Sequence, residues 1–235
     1  MRIQELFRLL SYGELSNLDL SGEGSGTIKK ERHPQLISYV NDALLKIYSR
    51  FPLLQKDLII ELQSHISMYP LRLEYAESVG SSVKYPFIKD RVGNEFTEDV
   101  IKIIEVHSSC GHEYALNDKG NPHSLFTPQP DVLQVPYPKA GLALGIQYQA
   151  RHPKLIDTGS KVLAQNIELP FFLESALQNY VGHKVYGHMN GAENTVKSQE
   201  FMVNYERICV DIEQRDLVNQ TFGTTQSKLE TRGFR

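Results

Sequence analysis

At 235 residues, with 40% hydrophobic and 23% charged side chains, the chain is long enough to bury a core in one or two domains and has an ordinary globular composition. Its net charge of -3 excludes the basic signature of a protein held on nucleic acid by phosphate neutralisation, while a neutral or acidic surface stays compatible with DNA sliding past it. No run reaches the roughly 18 apolar residues of a membrane span, so a protein soluble at synthesis is expected.

The opening Met1-Arg2-Ile3-Gln4-Glu5-Leu6-Phe7 reads as an amphipathic helix rather than a signal peptide, with Ile3, Leu6, Phe7 and Leu10 on one face. Without a secretory signal, Cys110 and Cys209 are expected as free thiols in a reduced, cytosolic setting. The loop Ser21-Gly22-Glu23-Gly24-Ser25-Gly26 disfavours regular structure. A strong helix then starts at Pro34 and carries Leu36, Ile37, Val40, Ala43, Leu44, Ile47 and Tyr48 as one stripe until Pro52 stops it.

Beyond residue 56 the period changes. Leu58, Ile59, Ile60 and Leu62 form an apolar run, and Leu71, Leu73 and Tyr75 alternate with Arg72 and Glu74 as in a strand. Val83 to Ile88 reads as an edge strand because of Pro86. Thr97 and Asp99 suit the start of one helical turn, followed by an extended Ile101 to Val106. Residues 111–138 are turn-rich with short strand-like pieces such as Val132 to Val135. Leu142, Leu144, Ile146 and Tyr148 give the clearest alternation in the chain.

Helical spacing returns with Pro170, Leu173, Ala176, Leu177, Tyr180, Val181 and Val185. Asn190-Gly191 suits a terminator, Asn194 a cap, and Phe201, Tyr205, Ile208 and Ile212 form the next stripe. Two helices with a short connection make an antiparallel hairpin. Beyond Val218 no apolar face exists, so an extended or disordered tail is expected. The expected fold class is therefore α+β: a bundle of N- and C-terminal helices with an inserted β module and an extended tail. The divisions fall at 1–55, 56–165, 166–217 and 218–235, and no internal repeat is seen.

Candidate chemistry is sparse. Leu155-Ile156-Asp157-Thr158-Gly159-Ser160 matches the aspartic-protease tripeptide, and a homodimer would supply the second carboxylate. The chain turns helical soon afterwards, however, and Asp-Thr-Gly is also good turn chemistry. His107, Cys110, His112 and His123 are metal-capable but lack the paired spacing of a zinc site. His183 and His188, five apart, do not share a helical face as a metalloprotease pair would. Gly22, Gly24 and Gly26 lack the lysine and flanking strand of a phosphate loop. No catalytic, cofactor-binding or metal-binding residue is assigned, and an interaction protein rather than an enzyme is expected.

Three stretches carry a family likeness: His33-Pro34-Gln35-Leu36-Ile37-Ser38-Tyr39-Val40-Asn41-Asp42-Ala43-Leu44; Leu116-Asn117-Asp118 with Ser124-Leu125-Phe126-Thr127-Pro128 and Val132-Leu133-Gln134-Val135-Pro136; and Ile146-Gln147-Tyr148-Gln149-Ala150-Arg151-His152-Pro153 leading through Ile167-Glu168-Leu169-Pro170 to Ala176-Leu177-Gln178-Asn179-Tyr180-Val181. With these in this order, the chain resembles the head-to-tail adaptor (connector) proteins of tailed bacteriophages, particularly short-tailed ones. The resemblance implies a virion protein made in the host cytoplasm and placed at the head–tail junction. It implies a closed ring of about twelve copies, docked between the portal protein and a tail nozzle or tail-tube protein. Double-stranded DNA would pass through without sequence-specific contact during packaging and ejection. The tail would clasp the portal through Phe222, Leu229 and Phe234 as apolar anchors, with Arg232 and Arg235 as charged contacts. The alternatives are a dimeric aspartic protease using Asp157 and a tail-completion or capsid-associated structural protein.

Overall fold

A computed structural model describes residues 1–13, 15–16, 28–79, 85–89, 95–157, 159 and 161–218. The chain is α+β, divided into one unit of Met1–Ala43 with Ile156–Arg235 and a second of Leu44–Leu155. The first division falls inside a helix, 33–50, rather than after it, and the second precedes residue 156 rather than 166.

In the first unit, helix α1 (Ile3–Tyr12) buries Ile3, Leu6, Phe7 and Leu10, the face its spacing of three and four residues dictates. The residues before it run antiparallel to 165–167: Arg2 bridges Asn166, Ile3 N–H donates to the Gln165 carbonyl at 3.1 Å, and Ile167 N–H to that of Met1 at 2.7 Å. Helix α2 (His33–Arg50) opens with Pro34, whose missing N–H lies where no intrahelical acceptor exists. Within this unit Tyr39 stacks on His188 with ring centroids 5.2 Å apart, and Asp42 meets Lys184 at 3.2 Å. The N-terminal helices thus pack on the C-terminal hairpin.

That hairpin is α3 (Glu174–Gly187), entered through the 3-10 turn Phe171–Leu173, and α4 (Ala192–Gln214). The two approach closely because Gly182 leaves room for a ring: a Cβ there would lie 3.2 Å from Phe201. Asn194 is not the cap of α4. Gly191, with φ +117, takes that position, and the Asn194 amide donates to the Asn190 carbonyl at 2.8 Å. A φ this far beyond the left-handed helical region is inexpensive only for glycine.

The second unit is built on an antiparallel sheet ordered β3-β1-β7-β4 and a smaller one ordered β2-β6-β5. The strands are β1 (Gln55–Glu61), β2 (Met68–Pro70), β3 (Ile88–Lys89), β4 (Val100–Ser108), β5 (Phe126–Gln129), β6 (Val132–Gln134) and β7 (Ala143–Ala150). Register places Leu58 opposite Ile146 and Ile60 opposite Leu144, so one face of the central pair is continuously apolar. With Tyr69, Leu133 and Phe87 it forms a single core shared by both sheets. Gln149, buried at the end of β7, donates its amide to the carbonyls of Tyr48 and Phe51 at the close of α2, occupying acceptors that have no intrahelical partner.

Two local expectations fail here. Leu71 to Tyr75 is not a strand: β2 ends at Pro70, and Leu73–Tyr75 is a 3-10 turn. Leu71, ahead of the turn, is still buried, and the turn stacks Tyr75 on Phe87 at 4.7 Å, which satisfies the same apolar residues without strand geometry. Thr97 and Asp99 start no helical turn; Asp99 is buried as the acceptor of two distant donors. Ile88–Lys89 is an edge strand, whereas the start of the expected 83–88 strand lies outside the described residues.

Candidate functional site

The tail anchors Phe222, Leu229, Arg232, Phe234 and Arg235 lie outside the described residues, as do the loop glycines 22, 24 and 26. Asp157 is exposed, next to Ile156, whose main chain is held by the Gln165 side chain at 2.8 Å (N–H to Oε1) and 2.7 Å (Nε2 to carbonyl). This loop belongs to the helical unit, not to either sheet. Aspartic-protease chemistry requires two such carboxylates close enough to share a proton.

The metal-capable residues are spread out. His107 on β4 pairs with Glu105 at 3.2 Å, the His112 ring meets Tyr114 edge-on at 5.8 Å, and His123 stands on another loop. Among the described residues no group of three His, Cys, Asp or Glu side chains converges. Cys110 is exposed at the turn after β4. The Ser108 hydroxyl, 3.0 Å from its sulfur, and then the His112 main-chain N–H hold this thiol below its ordinary pKa. On the hairpin, His183 Nδ1 lies 3.0 Å from the Ser198 carbonyl, and His188 Nδ1 donates to the Lys184 carbonyl at 2.7 Å. The His183 bond ties α3 to α4, whereas that of His188 closes the last turn of α3 itself.

Two surfaces stand out. The first is the outer side of α4 and the turn after it. Val196, Val203, Val210 and Leu217 recur every seven residues and are 54%, 66%, 40% and 40% exposed. Seven residues fall about 20° short of two full turns, so the four side chains stay on one side over the helix's length. The buried stripe of the same helix, Ser198, Tyr205, Cys209 and Ile212, faces inward. Periodicity alone marks apolar residues on both faces; only burial separates the packed stripe from the open one.

The second is a cleft of about 290 Å³ in the β unit, floored by Leu62, Leu125, Val135, Leu142 and Leu144. Both of its walls are tied down. On one, Ser124 Oγ donates to the Ala115 carbonyl at 3.0 Å and accepts the Asp118 N–H at 3.0 Å, and the Asn117 amide donates to Thr127 Oγ1 at 2.8 Å and accepts the Thr127 main-chain N–H at 2.9 Å. On the other, Gly141, with φ +78, makes the turn that lets its N–H reach the Leu62 carbonyl at 3.0 Å, and Leu62 N–H answers to Leu142 at 2.8 Å. The cleft draws on four separated segments, so no local pattern announces it.

No family model matches the chain, and no curated protein matches it. Among the described residues no helix is long and apolar enough to cross a membrane.

Proposed function

We propose that the chain is a structural virion protein, a head-to-tail adaptor that forms a ring beneath a phage portal and passes DNA through its axis. The observation that carries this reading is the exposed apolar stripe of α4. A column of valines on the solvent side of a well-packed helix is the kind of surface that a neighbouring subunit covers. In a ring this contact is heterologous and closing: the stripe of one copy seats against a different face of the next. The shared frame of N- and C-terminal helices supports the reading, as does the order of sequence stretches that resemble the adaptor family. The β unit is assigned the contact with a tail component. The tail 219–235 is assigned to the portal, with Phe222, Leu229 and Phe234 entering apolar pockets and Arg232 and Arg235 pairing with carboxylates.

Co-expression with the portal protein of the same genome tests this. Co-purification of the full chain, and its loss on deleting residues 219–235, is the expected result. Normal portal assembly by the truncated chain would remove the tail from the proposal. A full chain that binds capsid or completed tails but not portal would favour the tail-completion or capsid-associated reading instead.

A further inference from the structure

The cleft of the β unit is a feature that the ring does not require. Its floor is aliphatic, its rim carries the rings of Tyr114 and Tyr137, and Tyr137 is 78% exposed. The lining contains no carboxylate. The groups able to carry positive charge are Lys139 and His123, and Lys139 has no ion-pair partner among the described residues. The two hydrogen-bonded walls make the cavity a built feature rather than a loose gap between side chains. Its volume sits at the lower limit for ligand pockets, so it suits one side chain and not a whole cofactor.

We propose that this cleft receives an aromatic or branched aliphatic side chain of a partner polypeptide that carries a carboxylate on an adjacent residue. The apolar group displaces water from Leu62, Leu125 and Leu144. Lys139 takes the carboxylate at the rim, where solvent screening makes the charge a selector more than a source of affinity. Tyr137 lies flat against the incoming chain, as exposed aromatics do at peptide-binding surfaces. This assignment stands independently of the adaptor reading, and either survives the failure of the other.

The test uses the full chain with labelled methyl groups, titrated with acetyl-Glu-Phe-Gly-amide, acetyl-Lys-Phe-Gly-amide and 3-phenylpropionate. The acidic peptide is expected to shift the methyl signals of Val135, Leu142 and Leu144 and to bind at least roughly threefold tighter than the basic one. Lys139→Glu, an exposed position, should reverse that preference, and Lys139→Gln should erase it; unchanged thermal midpoints would show that the fold is kept. Equal binding of both peptides, no shift at millimolar concentration, or binding of 3-phenylpropionate alone would each overturn the proposal, the last by making the cleft a small-molecule carboxylate site.

Discussion

The phenol of Tyr148 on β7 donates a 3.0 Å hydrogen bond to Asp99 Oδ1, while Lys56 on β1 reaches the other carboxylate oxygen at 2.6 Å. The carboxylate side chain is 7% exposed and the lysine 23%. One buried acid therefore ties together two strands and the segment that enters β4. Removing it strands a half-buried ammonium and a buried hydroxyl, which costs more than the bonds themselves contribute. Asp99→Ala is expected to lower unfolding free energy by about 2–4 kcal/mol, and Tyr148→Phe by about 1 kcal/mol. Urea denaturation measures both. A smaller loss for Asp99→Ala than for Tyr148→Phe would refute the arrangement.

The same pair makes stability fall in alkali. Burial, then the negative charge of Asp99, pushes the Tyr148 phenol well above its ordinary value of 10.0. In the unfolded chain it ionises near 10.0, while in the folded chain it keeps its proton. Its contribution is thus fully present below pH 10 and is lost as pH rises beyond, by about 1.4 kcal/mol per pH unit for each proton of difference. Tyr69 and Tyr186 are also raised by burial. Tyr148→Phe should therefore flatten the decline in urea midpoint between pH 10 and 12 without abolishing it; an unchanged slope would contradict the assignment.

The hairpin offers a steric test. Alanine is a better helix former than glycine by about 1 kcal/mol, so Gly182→Ala in an open helix would stabilise. Here the new methyl meets the Phe201 ring at 3.2 Å, and overpacking of this kind costs about 1–3 kcal/mol. Net destabilisation is expected, relieved when Phe201→Leu is added. Stabilisation by Gly182→Ala alone would mean that α3 and α4 do not approach as described.

The two cysteines should separate cleanly. Cys110 is exposed with its thiol pKa held down, whereas Cys209 is buried. A thiol reagent applied to native protein at neutral pH is expected to label Cys110 quickly and Cys209 only on unfolding. Mass spectrometry of the labelled peptides reads this directly, and equal labelling rates would contradict it.

Where the sequence was legible, a regular period met a single burial face. Ile3, Leu6, Phe7 and Leu10 announce α1, and the alternation Leu144, Ile146, Tyr148 announces β7, a strand paired on both sides. It failed where one pattern serves two geometries. Leu71, Leu73 and Tyr75 alternate like a strand, yet a 3-10 turn buries or stacks them equally well. Asp99 resembles a helix start by composition, but its partners lie 43 and 49 residues away in sequence. The exposed stripe of α4 was hidden for another reason: Phe201, Tyr205, Ile208 and Ile212 already account for a packed face, and no period tells whether Val196, Val203 and Val210 extend it or stand open. The walled cleft arises from segments that no local window contains.

The central claim is a ring built through α4, and the most direct measurement is the mass of the assembly formed with portal protein by the full chain and by the Val203→Asp/Val210→Asp variant. Both positions are exposed, so the variant is expected to keep its fold, with stability changed by no more than about 0.5 kcal/mol per site. Wild type should add about twelve copies to each portal, and the variant should leave incomplete or empty portals. A wild-type chain that never joins the portal, or a variant that completes the ring as readily as wild type, would contradict the account.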